Sequence, residues 1–528
     1  MADSLDCAAS SKPGTIDRRK FLATAAQGAS LLALPGFAGC LGPRPEKRVL
    51  PSDVPRPALF QSALPLPPRL RAKPSPDGIA RLALSAEEGL SSILASDSSR
   101  VSNPTRVRGY NGIFPGPIIE VDSGQRLLVL LTNRLNEPIV NHLHGGRTPA
   151  VSDGFPMDFI LPLAGGANPP RLEEIQSAAK SGGWQVFDYP NQQRATMLWY
   201  HDHRMDYTGR QVWHGLAGLY IVRDDEERSL ALPSGDREIA LAIADRSFDA
   251  QCQFKYPSMP DGMLEEAYMG GVLGDVILVN GAPWPSHPVA TGLYRLRILN
   301  ASNSRDYILE LDRTMPVGYQ FAQIGTDGGL LQKAIHRRQI HLAPAERVDL
   351  LVDFAGCPLG TPIRLLNTAD SGPLGHIMQF VPGQTVAENA KLPDRLSNLE
   401  IPMPAPGMVE RTFDFKYSRL KKIWTVNGLG YDPERMDAKP RLNSTEIWHL
   451  RTDFTHPVHL HLVHFGVLQH NGTPRAADMG WKDTINMVAG ETSTIIVPFT
   501  GFTGRYVFHC HNLEHEDMRM MANFEVVA

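Results

Sequence analysis

The chain has 528 residues, and at roughly 100–200 residues per domain this length predicts about three domains. Hydrophobic residues make up 42% of the sequence, enough for sizeable cores, and a net charge of −4 without long basic runs argues against nucleic acid as the main partner. Gly (46) and Pro (43) are abundant along the chain, a composition that favours many short strands and turns over long helices.

The N-terminal segment has the pattern of an export signal. Arg18 and Arg19 precede a short stretch of small apolar residues at 23–37, and such an arginine pair is typical of a twin-arginine signal. That stretch is too short and too rich in Gly, Ala and Ser for a membrane span. We therefore expect residues 1–42 to be a twin-arginine signal and the protein to be exported to the periplasm or cell envelope. The residues around Cys40 resemble a lipoprotein cleavage site, and the sequence leaves open whether this cysteine carries a lipid anchor.

A weak repeat follows a Pro-rich arm, which we assign to residues 43–76. An Asn-Gly turn precedes an apolar strand three times, at Asn111-Gly112, Asn280-Gly281 and Asn427-Gly428. Three such copies predict three related all-β domains built as β-sandwiches. We place these domains at residues 77–226, 227–385 and 405–528. Little helical periodicity is present, and the short helix that we predict covers 172–180.

Cysteine is scarce, so the chain is not a disulfide scaffold. Cys7 and Cys40 lie in the predicted signal, which leaves Cys252, Cys357 and Cys510. The sequence leaves open whether Cys252 and Cys357 form a disulfide or remain two separate thiols.

Histidines are concentrated in four short windows, where random placement of the 18 histidines would put fewer than one. The windows contain His142 and His144, His201 and His203, His456, His459 and His461, and His509, His511 and His515. Because side chains alternate along a strand, each His-x-His pair presents both imidazoles on one face. Eight converging imidazoles could hold a cluster of several metal ions, for which copper, zinc and iron are all suitable. We interpret the other eight histidines, including His464, as surface or core residues.

Cys510 lies between two of these histidines in the sequence. Strand alternation points Cys510 away from the face that His509 and His511 share, so its thiolate would serve a different metal. The other members of that site are expected to be His456, His515 and Met520. Two histidines, one cysteine and a weak methionine are the ligand set of a blue-copper electron-transfer site. Cys510 would then bind one copper while its covalent neighbours bind the cluster.

The motifs around these residues resemble those of the multicopper oxidases, most closely the bacterial spore-coat laccases and bilirubin-oxidase-like enzymes. The stretches that carry the resemblance are Asn141–Gly146, Tyr189–Gln193, Leu198–His203, Leu342–Arg347, Thr455–His461 and His509–Asp517. The resemblance implies three cupredoxin-like Greek-key β-sandwich domains and four copper ions. It assigns the type 1 copper to His456, Cys510 and His515 with Met520 as axial ligand, and the type 2 copper to His142 and His459. It assigns the type 3 pair to His144, His201, His203, His461, His509 and His511.

The resemblance also implies the reaction. A laccase-type enzyme oxidises phenolic or aromatic donors, with bilirubin-like pigments among the candidates, by one electron at a time and reduces dioxygen to water. The metals carry the redox chemistry and the protein sets geometry and access. In the resembling enzymes, the acids that match Glu516 and Asp153 relay protons, and we adopt that role for both. Asp202, between two ligand positions, is expected to orient neighbouring groups.

Two alternatives remain open. One is a metal-ion oxidase, acting on Cu(I) or Mn(II) with the same copper centres, although the 17 methionines are scattered and form no Met-rich insert. The other is a non-enzymatic cupredoxin-fold protein for electron transfer or envelope assembly, against which the full set of cluster ligands argues.

The short segment 471–481 predicts an open type 1 site. We expect a monomer whose partners are a small aromatic reductant and dioxygen, with no nucleic acid and no membrane span; the sequence identifies neither the physiological donor nor the type 1 potential.

Overall fold

The computed structural model describes residues 45–94, 103–165, 168–385, 391–473, 475 and 478–528. The predicted export signal, including Cys40, lies outside the described residues. Strands dominate the described part, which confirms the predicted all-β class. Among the described residues, no helix is long and apolar enough to cross a membrane.

The first domain is a sandwich of two five-stranded sheets. Ten of the first eleven strands build it, and β1 pairs elsewhere. The strands are β1 (Arg48–Val49), β2 (Arg69–Leu70), β3 (Ala80–Ser91), β4 (Thr105–Tyr110), β5 (Gly116–Asp122), β6 (Leu127–Asn133), β7 (Asn141–His144), β8 (Ala179–Ser181), β9 (Trp184–Tyr189), β10 (Thr196–Asp202) and β11 (Ala217–Arg223). The sheet orders are β2-β5-β11-β10-β7 and β4-β3-β6-β9-β8. A helix, α1 (Thr208–His214), and 3₁₀ turns at Ala150–Ser152 and Leu172–Glu174 complete this domain. Its core lies between the sheets, where Leu127 and Leu131 of β6 pack with Tyr200 of β10.

The helix that we predicted over 172–180 is wrong. Only the 3₁₀ turn at Leu172–Glu174 forms, and Ala179–Ser181 is strand β8. The cause is the dipeptide Gly182-Gly183, because Ser181 pairs with Trp184 across these two residues in a tight hairpin.

The second domain contains a seven-stranded and a five-stranded sheet. The strands are β12 (Glu238–Arg246), β13 (Val272–Leu273), β14 (Val276–Val279), β15 (Ala282–Pro283), β16 (Ser286–Ala290), β17 (Leu293–Asn300), β18 (Tyr307–Leu311), β19 (Phe321–Thr326), β20 (Gly329–Arg337), β21 (Ile340–Leu342), β22 (Arg347–Asp353), β23 (Ile363–Asn367) and β24 (His376–Gln384). The sheet orders are β15-β14-β12-β17-β22-β19-β20 and β16-β24-β23-β18-β21. The helix α2 (Asp225–Ser229) and 3₁₀ turns at Gly235–Arg237, Glu266–Tyr268 and Gly372–Gly375 lie in the connections. Cys252 and Cys357 are free thiols, which resolves the disulfide question.

The third domain pairs a six-stranded with a four-stranded sheet. The strands are β25 (Val409–Ser418), β26 (Ile423–Val426), β27 (Ser444–Thr452), β28 (His456–Leu460), β29 (Phe465–His470), β30 (Trp481–Lys482), β31 (Thr484–Met487), β32 (Thr492–Phe499), β33 (Gly504–Cys510) and β34 (Met521–Val526), with the helix α3 (Leu513–Asp517). The sheet orders are β26-β25-β27-β32-β29-β30 and β31-β28-β33-β34. Trp448 and Phe413 of one sheet pack against Val458 and Phe508 of the other.

The predicted repeat of Asn-Gly turns is confirmed. The asparagine and glycine have positive φ in all three copies, the geometry of a type I′ hairpin turn: 55° and 67° at Asn111-Gly112, 50° and 85° at Asn280-Gly281, and 53° and 75° at Asn427-Gly428. Each asparagine side chain also accepts a hydrogen bond from a backbone N–H on the neighbouring strand. These donors are Ser85 on β3, Ala242 on β12 and Asp414 on β25, at 2.9, 2.8 and 2.7 Å.

The described part of the Pro-rich arm is docked rather than free. Strand β1 pairs in parallel with β13 of the second domain, and β2 adds to the edge of the first domain next to β5. Lys47 also forms an ion pair with Asp306, with 2.5 Å between Nζ and Oδ2. The described part of the arm therefore contacts both the first and the second domain.

Candidate metal centres

Two pairs of neighbouring strands carry the predicted ligands. In the first domain β7 and β10 pair antiparallel, with His142 opposite His201. In the third domain β28 and β33 pair antiparallel, with His459 opposite His509. Because residues two apart on a strand share a face, each strand end presents its His-x-His pair to one side.

These pairs from two domains meet in one buried group, which we call the eight-histidine cluster. Its members are His142, His144, His201, His203, His459, His461, His509 and His511, all buried. The rings of His142 and His461 stack with centroids 3.7 Å apart, and those of His144 and His459 with centroids 3.6 Å apart. The Nε2 atoms of His461 and His509 lie 3.3 Å apart. Two imidazole nitrogens at about 2 Å from one metal ion would be separated by about that distance.

Hydrogen bonds to the outer rim determine which imidazole nitrogen faces the centre of the cluster. Nδ1 of His142, His201 and His459 lies 2.6, 2.7 and 2.8 Å from the backbone carbonyl oxygens of Asp153, Asp202 and Asp483. A carbonyl oxygen can only accept, so Nδ1 carries the proton and the lone pair is on Nε2. Those three Nε2 atoms are buried and have no hydrogen-bond partner among the described residues. A buried acceptor without a donor is costly, and a metal ion would satisfy it.

For seven of the eight cluster histidines, burial favours the neutral form, which is the form that binds metals. Loss of solvation is the largest cause that lowers the pKa of His142, His144, His201, His203, His459, His461 and His511. The pKa falls to about 3 for His201 and to about 4 for His203. The lone pairs are therefore available at neutral pH.

Cys510 points to the opposite side of β33, into what we call the mononuclear group (His456, Cys510, His515 and Met520). Sγ of Cys510 lies 3.3 Å from Nδ1 of His456 and 3.5 Å from Nδ1 of His515, and the two Nδ1 atoms are 3.0 Å apart. One cysteine sulfur and two imidazoles therefore form a triangle that could enclose one ion. Met520 is buried in the same apolar core, and its carbonyl accepts a hydrogen bond from the N–H of Cys510.

The mononuclear group is not open to solvent at its two histidines. The open type 1 site that we predicted from segment 471–481 is therefore wrong for these residues. The side chains of His456 and His515 are fully buried. Nε2 of His515 lies 3.1 Å from the carbonyl oxygen of Gly270 and donates a hydrogen bond to it. His515 is covered by Gly270, which lies beside β13 of the second domain. The length of segment 471–481 in the third domain does not determine this cover.

The two predicted acids both contact the eight-histidine cluster. Oδ2 of Asp153 accepts from Nδ1 of His461 at 2.7 Å. Glu516, in α3, lies with its two oxygens 3.3 Å from Nδ1 of His203 and 3.1 Å from Nδ1 of His509. Both carboxyl groups are buried and reach the outer nitrogens of cluster histidines, where they can orient the rings and hold or move a proton.

Asp202 has the orienting role that we expected. Its carboxylate accepts hydrogen bonds from the backbone N–H groups of Val140 and Arg204, both at 2.9 Å. The side chain is buried, and this burial raises its pKa to about 7. Asp202 therefore fixes the backbone on both sides of the ligand strands.

The sequence interpretation missed Asp483. Its Oδ1 lies 3.0 Å from Nε2 of His144, and its backbone carbonyl accepts from His459. Arg347 binds both carboxylate oxygens, and although burial opposes ionisation, this guanidinium lowers the pKa of Asp483. Arg347 closes a motif that the sequence analysis had noted. A buried arginine requires an acid, but the sequence indicates neither that Arg347 is buried nor which acid would meet it.

Of the other histidines, three lie close to acids. His449 is partly exposed, with Nε2 3.0 Å from Glu410. His464 is mostly buried, with Nε2 3.1 Å from the carbonyl oxygen of Gly145 and 3.7 Å from Asp483. His470 is buried between Glu491 and Asp478, which lie 2.7 and 3.2 Å from its ring nitrogens. None of the three belongs to the eight-histidine cluster or to the mononuclear group.

Three β-sandwiches that join a triangle of one cysteine and two histidines to a buried cluster of eight imidazoles define a class of protein: a cupredoxin-fold oxidoreductase with several copper ions. Two family models described as multicopper oxidase match residues 95–168 and 401–528. The laccase of Bacillus subtilis (strain 168) is 34% identical over 495 residues, covering 80% of this chain and 90% of the laccase. The bilirubin oxidase of Albifimbria verrucaria is 32% identical over 444 residues, covering 79% of this chain and 72% of that enzyme. A multicopper oxidase from Pediococcus acidilactici has a crystal structure with a TM-score of 0.77 and 30% identity, covering 91% of this chain and 93% of that one.

The chain belongs to the multicopper oxidase family and is a laccase-like copper oxidoreductase that uses dioxygen. This confirms the family, the cupredoxin-like fold and the class of enzyme predicted from the sequence.

Proposed function

We propose that the mononuclear group holds one type 1 copper and that the eight-histidine cluster holds one type 2 copper and a type 3 pair. The type 1 ligands are His456, Cys510 and His515, with Met520 as axial ligand. The type 2 ligands are His142 and His459, and the type 3 ligands are His144, His201, His203, His461, His509 and His511. When bound, these ions would supply one-electron oxidation of a donor and four-electron reduction of dioxygen to water.

One observation carries this proposal. Sγ of Cys510 belongs to the mononuclear triangle, while its covalent neighbour His509 has Nε2 3.2 Å from Nε2 of His203 in the cluster. The tripeptide His509-Cys510-His511 therefore joins the two groups by a short bonded path. An electron that enters at Cys510 has only backbone and side-chain bonds to cross before it reaches the cluster.

The residues of the chain divide the remaining work. Asp153 and Glu516 are placed to orient the outer nitrogens of His461, His203 and His509, and we propose that they also deliver the protons that water formation consumes. Burial excludes bulk water from these carboxyl groups, so a proton must pass from group to group.

The donors that we propose are phenols, aromatic amines and bilirubin-like pigments. Cu(I) and Mn(II) are the alternative donors.

We also propose that the protein is an exported monomer. The arginine pair at 18 and 19 supports export, and an Arg18→Lys, Arg19→Lys variant should remain in the cytoplasm on fractionation; normal export of this variant would reject the signal.

The test begins with an optical spectrum and a copper count on the copper-loaded protein, followed by oxygen uptake with a phenol, Cu(I) and Mn(II). We expect an intense blue thiolate band, about four copper ions per chain and faster uptake with the phenol. The variant Cys510→Ser should lose the blue band and about one copper. A colourless wild-type protein after loading would reject the mononuclear assignment, and uptake only with metal ions would replace the donor class.

A further inference from the structure

A line of aromatic rings connects the mononuclear group to the surface of the third domain. Trp424, on β26, stacks on His515 with ring centroids 3.7 Å apart and an interplanar angle of 29°. Tyr417, on β25, lies with its ring centroid 5.0 Å from that of Trp424. Trp424 and His515 are fully buried, whereas Tyr417 is partly exposed. The three rings therefore lead from solvent to an imidazole of the mononuclear group.

The register of two strands creates this line. Tyr417 is directly opposite Trp424 in the antiparallel pairing of β25 and β26, so the two rings form a cross-strand pair. Met269 of the second domain holds both rings. Nε1 of Trp424 donates to the Met269 carbonyl oxygen at 2.8 Å, and the Tyr417 hydroxyl lies 3.7 Å from the Met269 sulfur.

A donor has no direct contact with the imidazoles themselves. His456 and His515 are fully buried, and the outward Nε2 of His515 is bonded to the carbonyl oxygen of Gly270. Phe454 also approaches His515, with centroids 5.9 Å apart, but a phenyl ring is much harder to oxidise than an indole or a phenol. Since electron tunnelling falls steeply with distance, the stack through Trp424 is the favoured way in.

The surface around Tyr417 combines apolar area with positive charge. The turn between β25 and β26 exposes Leu420, whose relative exposure is 91%, between Arg419 and Lys421, which are both exposed. Lys422 follows and is paired with Glu266 at 2.9 Å. Over these four charged residues the local balance is positive although the chain as a whole carries −4. An aromatic ring with an anionic substituent matches both features.

We propose that Tyr417 and the turn 419–421 form the electron-entry site for aromatic donors that carry a sulfonate or carboxylate group, and that their electrons reach His515 through the ring of Trp424. The inference rests on the proposed type 1 role of the mononuclear group. In each event the donor loses one electron, a phenolic donor also releases its proton to solvent, and Cu(II) in that group becomes Cu(I). Tyr417 touches the donor, and Trp424 acts as the bridge without a net change of oxidation state.

Anaerobic stopped-flow reduction of the copper-loaded protein tests the path, because bleaching of the blue band follows a single electron transfer. Tyr417→Ala should slow reduction by a sulfonated aromatic donor about tenfold, since the donor loses its oriented contact. Trp424→Phe should slow it as well. The blue band and the type 1 potential should stay unchanged in both variants. The matched control is Tyr319→Phe, because Tyr319 also stacks on a histidine, His336, which is outside both metal groups.

The double variant Arg419→Gln, Lys421→Gln tests the charge. Reduction by the sulfonated donor should slow about tenfold at low salt and lose most of its salt dependence, while an uncharged phenol is unaffected. Equal slowing for both donors would contradict the proposed charge selectivity.

A measurement on copper-free protein separates docking from electron transfer. In protein labelled with 3-fluorotyrosine, the ¹⁹F resonance that disappears in Tyr417→Phe should shift when naphthalene-disulfonate, which is not oxidised, is added. Unshifted resonance together with wild-type reduction rates in Tyr417→Ala would overturn the entry site while leaving the type 1 assignment intact. A protein that never becomes blue would instead overturn the proposed function; if Trp424→Phe does not fold, the surface variants decide alone.

Discussion

Arg347 and Asp483 form a two-pronged ion pair between the second and third domains, with Nη1 of the arginine 2.7 Å from Oδ1 of the aspartate and Nη2 bonded to Oδ2. Both side chains are buried, and the carboxylate also contacts His144 of the eight-histidine cluster. The pair therefore ties the position of a second-domain strand to the geometry of a cluster contributed by the other two domains.

Replacing Asp483 with asparagine should damage both stability and the cluster. Removing one partner of a buried pair leaves the other charge uncompensated, so we expect a loss of about 3–5 kcal/mol in the free energy of unfolding. Copper content should fall while the blue band remains, because the mononuclear group has no contact with this residue. Chemical denaturation and a copper count check this. The control Asp225→Asn removes an exposed partner of Arg228 and should change neither the free energy of unfolding nor the copper content.

Neutralising Glu516 should slow oxygen reduction without bleaching the protein. The variant Glu516→Gln keeps a side chain near His203 and His509 but cannot hand on a proton, so steady-state oxygen uptake should fall roughly a hundredfold. The rate at which a donor reduces the blue site anaerobically should not change. The surface variant Glu525→Gln should behave as wild type. Unchanged turnover in Glu516→Gln would remove the residue from proton delivery.

His470 should make stability depend on pH. Burial opposes its protonation, but the hydrogen bonds that His470 donates to Asp478 and Glu491 outweigh this and raise its pKa above the ordinary value of 6.5. A histidine with a raised folded pKa stabilises the fold fully below its unfolded pKa, and this contribution is lost as pH rises through the folded value. The variant His470→Gln should therefore lose more stability at pH 5.5 than at pH 9, measured by denaturation at both. A loss equal at both pH values would mean that folding does not raise the pKa of His470.

Removing copper should lower the melting temperature, because a ligand that binds only the folded protein stabilises it. His459→Gln should reduce the increase in melting temperature that copper loading produces, since His459 is a buried member of the cluster. The exposed His341 offers a control, and His341→Gln should show the full increase. Calorimetry with and without a chelator on the wild-type protein and both variants gives the six values; an equal increase in all proteins would place the stabilising copper elsewhere.

The ligand residues could be predicted from the sequence because the alternation of side chains along a strand depends only on neighbouring residues. The order His509-Cys510-His511 alone predicted that the cysteine and its neighbours serve two different groups, and the structure places them so. The Asn-Gly repeat was equally local. Asp483, Trp424 and the carbonyl of Gly270 were not predictable in this way, because each acts on the centres through a contact between distant segments that leaves no spacing in the chain. The cover over His515 is a backbone group, so even its residue type was uninformative.

The ladder between β28 and β33 sets Val458 opposite Cys510 and His459 opposite His509. A single residue inserted or deleted just before His456 would shift this register by one step and turn every side chain of β28 to the other face. Ligands would then leave both metal groups together. Such a chain would therefore lose donor oxidation and oxygen reduction together, as the result of one change in the sequence.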